Sequence, residues 1–410
     1  VTNDELVLRT ATDDDYTELE AHIHGAFLDD VDEDTADLNR LVFEPDRTQL
    51  MTDGGSIIGS GLVITRDMSV PGAVVPAAHV TGVGVATTHR RRGVLTALMN
   101  AMLTEAHGRG TEPFAVLWAS EGAIYGRYGY GLASSRVSYE VSVRDTAVVG
   151  ALPDGAQLRR AVTRDVLDVI APLYDRVRAV RPGLSSRPGK WWEYLTADPK
   201  GWRRGMTAER TVLFEDDGGV RGYARYRAKA GWGDTGPDGE IRITELLAET
   251  PEAHAALWRF LTTIDLVRTV RYNHGPVDDP LPHLVTNPDG LIGSADSALW
   301  VRILDVPGAL TARRYAAPVD VVLEVTDGSF AGNAGRWRLT VSPSSADVAR
   351  TDAEADLALD VRALGSLYLG GVSAATLAAG GLVTERTPGA VARVATAFGW
   401  HRAPVTVEVF

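Results

Sequence analysis

Residues 77–108, AAHVTGVGVATTHRRRGVLTALMNAMLTEAHG, change their apolar period partway along. Val80, Val83 and Val85 are strand formers with Gly82, Gly84 and Ala86 around them. Leu95, Leu98, Met99, Met102, Leu103 and Ala106 instead recur at intervals of three and four. The first pattern predicts a strand, the second one face of a helix. Thr87-Thr88-His89-Arg90-Arg91-Arg92-Gly93 joins them. The helix is expected to start at or near Arg92, and Gly108 to end it at the positive φ that glycine adopts freely. A strand, a tight turn and a helix in this order predict an α/β domain whose mixed sheet the helix crosses.

A helix start leaves its first backbone N–H groups without intrahelical acceptors. The macrodipole adds about half a positive charge there. Arg90, Arg91 and Arg92 contribute permanent charge, and Gly93 lets a ligand approach the backbone closely. Phosphate or pyrophosphate is the natural guest of such a turn. Three arginines ahead of a helix also make an ordinary solvated turn, so the turn alone leaves both readings open.

With 410 residues, 45% of them apolar, the chain is expected to hold two or three domains with real cores. A formal net charge of -13 argues against non-specific nucleic-acid or anionic-membrane binding and favours a cationic substrate. There is no cysteine, which excludes disulfides, thiolate nucleophiles and Cys-ligated zinc. The nine histidines show no metal-ligand spacing, so no metal is expected. No stretch is long and apolar enough for a membrane span, and the N-terminus has no signal-peptide character. A soluble, cytoplasmic protein is expected.

Upstream of the turn, residues 6–9 read as a short strand. Thr12-Asp13-Asp14-Asp15 has capping-box character, and Tyr16, Leu19, Ile23 and Phe27 give the next helix a buried stripe. Asp29-Asp30-Val31-Asp32-Glu33-Asp34 is a dense acidic loop, either solvated or one cation-attracting wall of a site. Residues 47–51, 56–65 and 74–85 form a run of strands broken by Asp53-Gly54-Gly55 and Pro71-Gly72. Residues 114–118 make a further strand. It leads into Ser120-Glu121-Gly122-Ala123-Ile124-Tyr125-Gly126-Arg127-Tyr128-Gly129-Tyr130-Gly131, where tyrosines serve either packing or proton transfer.

Residues 144–156 read as a linker. Beyond it the order repeats: a helix at 162–178 stopped by Arg181-Pro182-Gly183, strands at 211–215, 220–228 and 240–248, and a helix opened by Pro251-Glu252. This second strand-to-helix junction has no basic turn. Trp191, Trp192 and Trp202 are expected to anchor a core or an interface. From about residue 290 come strands at 299–303, 320–325 and 336–342, then helices, with Pro388 suited to a first helical turn. Pro404-Val405-Thr406-Val407-Glu408-Val409-Phe410 is expected to form a docked terminal strand. The expected domains are 1–150, 151–290 and 291–410.

R-x-x-G-x, after V-x-V and before an amphipathic helix, resembles the acetyl-coenzyme A motif of the GNAT N-acetyltransferases. Arg90, Gly93 and Leu95 stand at the motif positions, Leu95 where that family usually has Gly or Ala. S-E-G-x-I-Y-G-R-[FY]-G-Y at 120–130 closely resembles the Eis (enhanced intracellular survival) family, and the resemblance spans the chain. It implies an α/β (α+β) fold. Two GNAT-like mixed-sheet domains, the second degenerate, precede a sterol-carrier-protein-like α+β domain.

The resemblance further implies acetyl-coenzyme A as cosubstrate. It would be held by the strand at Val83, Gly84 and Val85, by the turn through Arg90, Arg91, Arg92, Gly93, Val94, Leu95 and Thr96, and by Ser120 and Glu121. Tyr125 becomes the general acid toward the departing thiolate, and the α-carboxylate of Phe410 the general base. Tyr128 and Tyr130 stay packing residues. Asp29 and Asp30 become the closest candidates for the acceptor-site border. Family members can carry Glu before the final Phe, where this chain has Val409; Glu408 is expected on the other side of the strand. The implied acceptors are aminoglycosides, modified at several amines, or similar polyamine and lysine substrates, and the implied assembly is a homo-hexamer. Two other readings stay open. One is a protein-lysine or small-amine acetyltransferase without aminoglycoside activity. The other is a lipid-binding or interaction protein with a vestigial site.

Overall fold

Strand β1 (Val7–Thr10) opens the first sheet, and a capping box between Thr12 and Asp15 turns the chain toward α1 (Tyr16–Ala26). The computed structural model describes residues 6–31, 35–234 and 236–410. Next come α2 (Ala36–Arg40), β2 (Thr48–Asp53), β3 (Ser56–Val70), β4 (Ala73–Val85), α3 (Val94–Arg109), β5 (Phe114–Trp118) and α4 (Gly122–Tyr125). Strands β2, β3 and β4 form an antiparallel meander, while β4 and β5 are parallel. A parallel pair needs a crossover, and α3 is that crossover.

Helix α3 buries Leu98, Met99, Met102, Leu103 and Ala106, the predicted stripe apart from half-buried Leu95, and adds Val94. It begins at Val94 rather than Arg92. It also runs through Gly108, because Gly110, at φ 68°, supplies the left-handed C-cap. Periodicity cannot separate two glycines this close together when both follow the last buried residue.

The chain divides into two compact units. One comprises residues 1–134, 298–401 and 410; the other comprises 135–297 and 402–409. Sheet membership therefore follows lines other than the expected domains 1–150, 151–290 and 291–410. The first sheet runs β1-β2-β3-β4-β5, then Leu299–Ile303, then Gly131–Leu132. The second runs Leu291–Ser297, Ser135–Ser142, Val267–Gly275, Gly239–Ala248, Gly219–Lys229, Arg210–Asp216, Gln157–Ala161. Leu299–Ile303 is buried at every position and needs partners on both edges, which β5 and Gly131–Leu132 supply. Such pairing between distant segments leaves no trace in local periodicity.

Residues 306–401 add a five-stranded sheet and helices to the first unit. Met68, Phe114 and Val301 of the first sheet share one core with Leu323, Leu339, Leu364, Leu377 and Phe398. The apolar faces of these C-terminal helices are thus core. Helix Val361–Tyr368 is capped by Asp360, which accepts from the Ala363 N–H at 2.7 Å. It lies against the first sheet so closely that a Cβ on Gly365 would overlap the Val301 carbonyl oxygen. Pro388 precedes the last helix, Ala390–Phe398, whose N-cap is Gly389 at φ 81°.

In the second unit, helix Leu167–Val180 and helix Pro251–Thr262 pack on the sheet through Ile170, Leu173, Leu257 and Leu261. Of the expected tryptophan anchors, Trp191 is buried and Trp192 meets Tyr174 edge-on, with ring centroids 5.6 Å apart. Residues 404–410 form no strand. The Val405 N–H is donated to the Pro182 carbonyl at 2.9 Å, and Val405 and Val407 pack with Tyr174, Leu213, Tyr223 and Leu247. No helix among the described residues is long and apolar enough to cross a membrane.

Two glycines test this packing. Gly365→Ala is expected to cost about 2–3 kcal/mol, because backbone rather than a flexible side chain blocks the new methyl. Gly108→Ala, inside α3 with nothing near its Cβ direction, is expected to gain about 0.5–1 kcal/mol. Urea denaturation midpoints check both.

Candidate functional site

Strands β4 and β5 pair only over Ala78–Val80 against Ala115–Leu117. Beyond that point β5 ends at Trp118, while β4 continues to Val85 alongside β3 alone. The sheet therefore forks, and residues 81–85 present one backbone edge that β5 does not use. The departure coincides with a bulge: the β3–β4 register shifts between Ser60 and Leu62, and Gly82 sits at φ 56°. A side chain at Gly84 would meet the Ala26 methyl at 2.8 Å, so this glycine lets α1 press on β4. Val83 and Val85 are half-buried and pack into the cores on either side of Gly84.

The basic turn follows directly. Residues Thr87–His89 make one turn of 3-10 helix, Arg90 is extended, Arg91 has φ 62°, and Gly93 at φ 84° is the N-cap of α3. No side chain caps this helix start, so its first N–H groups stay open. Arg90, Arg91, Arg92, Gly93 and Thr96 are exposed, Val94 is buried and Leu95 half-buried. Val94 and Leu95 thus seat the helix by their side chains and can meet a ligand only by their backbone.

Asp53 modifies the charge of the turn. It lies 2.8 Å from His89 Nε2 and 3.8 Å from an Arg92 nitrogen. Arg90 and Arg91 have no carboxylate partner among the described residues. Two uncompensated guanidinium groups therefore flank an uncapped helix start. The three arginines are equivalent in sequence; Asp53, distant along the chain, distinguishes Arg92.

Tyr125 ends α4, five residues after Ser120 and four after Glu121, both exposed at the start of the turn. Its ring is 5% exposed and packs with Val80, Leu117 and Trp300, beside the fork. Burial raises the phenol above its ordinary pKa, a hydrogen bond with Ser120 partly opposes this, and the nearby Glu121 charge adds to the rise. Tyr130 is fully buried, its ring edge-on to Tyr125 with centroids 6.0 Å apart. Tyr128 is more than filler, since its hydroxyl lies 3.2 Å from Thr96 Oγ1 and ties the tyrosine turn to the first turn of α3.

The Phe410 ring meets His79 with centroids 4.7 Å apart and planes at 66°. His79 is fully buried on β4, and its Nδ1 lies 3.0 Å from the Ala77 carbonyl oxygen. Neighbouring strand residues point to opposite faces. His79 and Val80 therefore face opposite sides of β4: Phe410 meets the His79 ring on one, and the core that includes Tyr125 lies on the other. His79 is a residue that no sequence pattern singled out.

Asp29 and Asp30 are exposed on the loop after α1, where Asp29 Oδ1 accepts from the Asp30 N–H at 3.0 Å. The end of α1 lies beside the fork, with Ala26 against Gly84 and His22 Nε2 3.4 Å from the Gly84 oxygen. The structure brings that loop toward the fork without seating either carboxylate in it. Asp32, Glu33 and Asp34 lie outside the described residues.

Comparison with known proteins extends this picture. The family description Acetyltransferase (GNAT) domain matches residues 7–133 and again 183–303, and Sterol carrier protein domain matches 306–407. An uncharacterized N-acetyltransferase of Streptomyces avermitilis is 43% identical over 370 residues, 90% of each chain. N-acetyltransferase Eis of Mycobacterium bovis is 34% identical over 411 residues, 96% of each. The crystal structure of Eis1 from Mycobacterium abscessus superposes with a TM-score of 0.85 at 32% identity, covering 98% of this chain and all of that one.

The N-cap of α3 offers a direct test. Gly93 has open space around its Cβ direction, so only its φ of 84° demands glycine. Gly93→Ala is expected to cost about 1–2 kcal/mol, and Gly93→Asn less, because asparagine tolerates the left-handed region. Denaturation midpoints read the difference.

Proposed function

The chain belongs to the Eis family of GNAT N-acetyltransferases, and from that premise we propose that it moves the acetyl group of acetyl-coenzyme A to amines of aminoglycosides or similar polyamine and lysine substrates. The observation that carries this reading is the forked β4–β5 edge. It lies beside an uncapped, basic helix start, with a buried tyrosine on one face and Phe410 on the other.

The residues present fit the cosubstrate. Arg90 and Arg91 are exposed and have no carboxylate partner among the described residues, and the space at the Cβ direction of Gly93 is open among them. These side chains and the N–H groups of Gly93, Val94, Leu95 and Thr96 would take the pyrophosphate. Arg92, shared with Asp53, contributes less. The free edge at Val83, Gly84 and Val85 would pair with the pantetheine amides and supply N–H donors to the developing oxyanion. The backbone at Ser120 and Glu121 would close the other side.

Acyl transfer to an amine also moves two protons. Tyr125 gives one to the departing thiolate, and its raised pKa keeps it protonated through neutral pH. Where Phe410 is the last residue, its α-carboxylate takes the other. A carboxylate of ordinary pKa about 3.5 is a weak base for a free ammonium near 10. It becomes competent as the tetrahedral adduct forms and the nitrogen turns acidic. Asp29 and Asp30, on a chain of net charge -13, favour a polycationic acceptor.

Turnover of acetyl-coenzyme A with an aminoglycoside panel tests the reading; no turnover with any member, but turnover with lysine peptides, would move the acceptor to proteins. Tyr125→Phe is expected to lower kcat by roughly 10²–10⁴-fold with KM for acetyl-coenzyme A little changed. Unchanged kcat would remove the acid role. In the native enzyme the alkaline fall in kcat assigned to Tyr125 is expected above pH 10.0, the phenol's ordinary value, because loss of its proton is displaced upward. Two residues added after Phe410 are expected to abolish turnover while coenzyme A still raises Tm.

A further inference from the structure

The second unit repeats the fork. Gly239–Ala248 and Val267–Gly275 pair in parallel, but only from Gly239 to Ile243 against Val267 to Tyr272. Residues 244–248 continue alongside Gly219–Lys229 alone, as 81–85 continue alongside β3. Here too a register shift, between Arg225 and Tyr226, marks the departure. The helix that follows starts differently. Thr250 caps it by accepting from the Ala253 N–H at 3.2 Å, Pro251 removes a donor, and Glu252 places a negative charge in the first turn. Each change works against an anion.

The second fork is filled by the chain itself. Val405 and Val407 line the same cavity as Leu246, Leu247, Ala248 and Tyr272. Gly183, at φ 91°, makes room for them: a Cβ there would lie 2.5 Å from the Val405 oxygen. Glu408 is 8% exposed and accepts from Arg187 Nε at 2.8 Å. Arg187 is buried, with its guanidinium 3.8 Å from the Tyr174 ring centroid and 4.5 Å from that of Trp192. It also pairs with Glu245, which lies on the diverging part of the fork strand.

We propose that the second GNAT-like unit has turned its fork into a clamp for residues 404–408, and that Glu408, Arg187 and Gly183 are positioning residues that hold the segment leading covalently into Phe410. The proposal rests on Phe410 being the base in the reading above. It explains why a domain without an anion site keeps the fork, and why a glutamate is buried within two residues of Phe410. Val409, between the clamp and Phe410, is 59% exposed, so that link adds little packing of its own.

The test uses Glu408→Ala and Gly183→Ala in the full chain, with Glu408→Gln as the conservative variant. Glu245 keeps Arg187 partnered in all three, so the unit retains its buried pair. Amide hydrogen exchange over residues 403–410 reads the clamp, and steady-state kinetics reads the delivery. Expected for Glu408→Ala and Gly183→Ala are at least tenfold faster exchange of this segment and at least tenfold lower kcat, with KM for acetyl-coenzyme A within twofold. Glu408→Gln, which still accepts from Arg187, is expected to recover most of both. Unchanged exchange in both variants overturns the clamp. Faster exchange with unchanged kcat overturns the positioning role, and if the chain extended beyond Phe410 is inactive, the base assignment survives that failure. An extended chain with full kcat overturns the base assignment and the positioning role with it.

Discussion

Parallel pairing between β4 and β5 holds for three residues and then stops, and the site of this protein follows from where it stops. A fully paired sheet would have consumed the backbone groups of residues 81–85. The bulge at Ser60–Leu62 and the positive φ of Gly82 turn β4 away from β5 and leave one edge unclaimed. Because α3 must cross from the end of β4 to the start of β5, its uncapped N-terminus arrives at the mouth of the opening. Phe410 meets His79 on one face of β4, and Tyr125 belongs to the core that Val80 joins on the other. Donors for an anion, a free strand edge and two candidate proton carriers thus converge through a single interruption of pairing.

The second sheet shows how little separates a ligand site from a structural one. Its fork has the same construction, with parallel strands that part, a register shift and a crossover helix. What differs is the first turn of that helix, where threonine, proline and glutamate replace arginines and glycine. A capped, acidic helix start repels the guest that an open, basic one attracts. The vacated groove then offers apolar walls, which Val405 and Val407 cover. A buried Glu408–Arg187 pair is a poor source of net stability, because burial takes both ions out of water.

The family relationship agrees with this physical account over nearly the whole chain. It also gives the C-terminal segment a context. Residues 306–407 match a sterol carrier protein domain, and residues from Val306 to Phe398 within it share one core with the first sheet. Arg302, buried on Leu299–Ile303, pairs with Asp327 at 2.8 Å, and Gly131 and Gly365 allow backbone contact between these parts. Burial of an apolar helix face against a sheet is the ordinary way such a face leaves water.

Local chemistry was legible in the sequence. The switch of apolar period placed β4 and α3, the capping box placed α1, and the basic turn and tyrosine string follow β4 and β5 where those strands end. Each is a property of residues near one another in the chain, where backbone preference and side-chain spacing decide the outcome. Partnership was not legible. Asp53 sets Arg92 apart from Arg90, Thr96 and Tyr128 join two turns, His79 receives Phe410, Ser135–Ser142 and Leu299–Ile303 pair away from their expected domains, and the terminal segment is a clamped coil rather than a strand. Periodicity states that a strand has an apolar face and unpaired edges but not which distant strand or carboxylate satisfies them. The sequence by itself determined the elements and the kind of chemistry they can support. Tertiary structure alone decided which edges stay open and which charges stay free, because those depend on contacts between residues far apart in the chain.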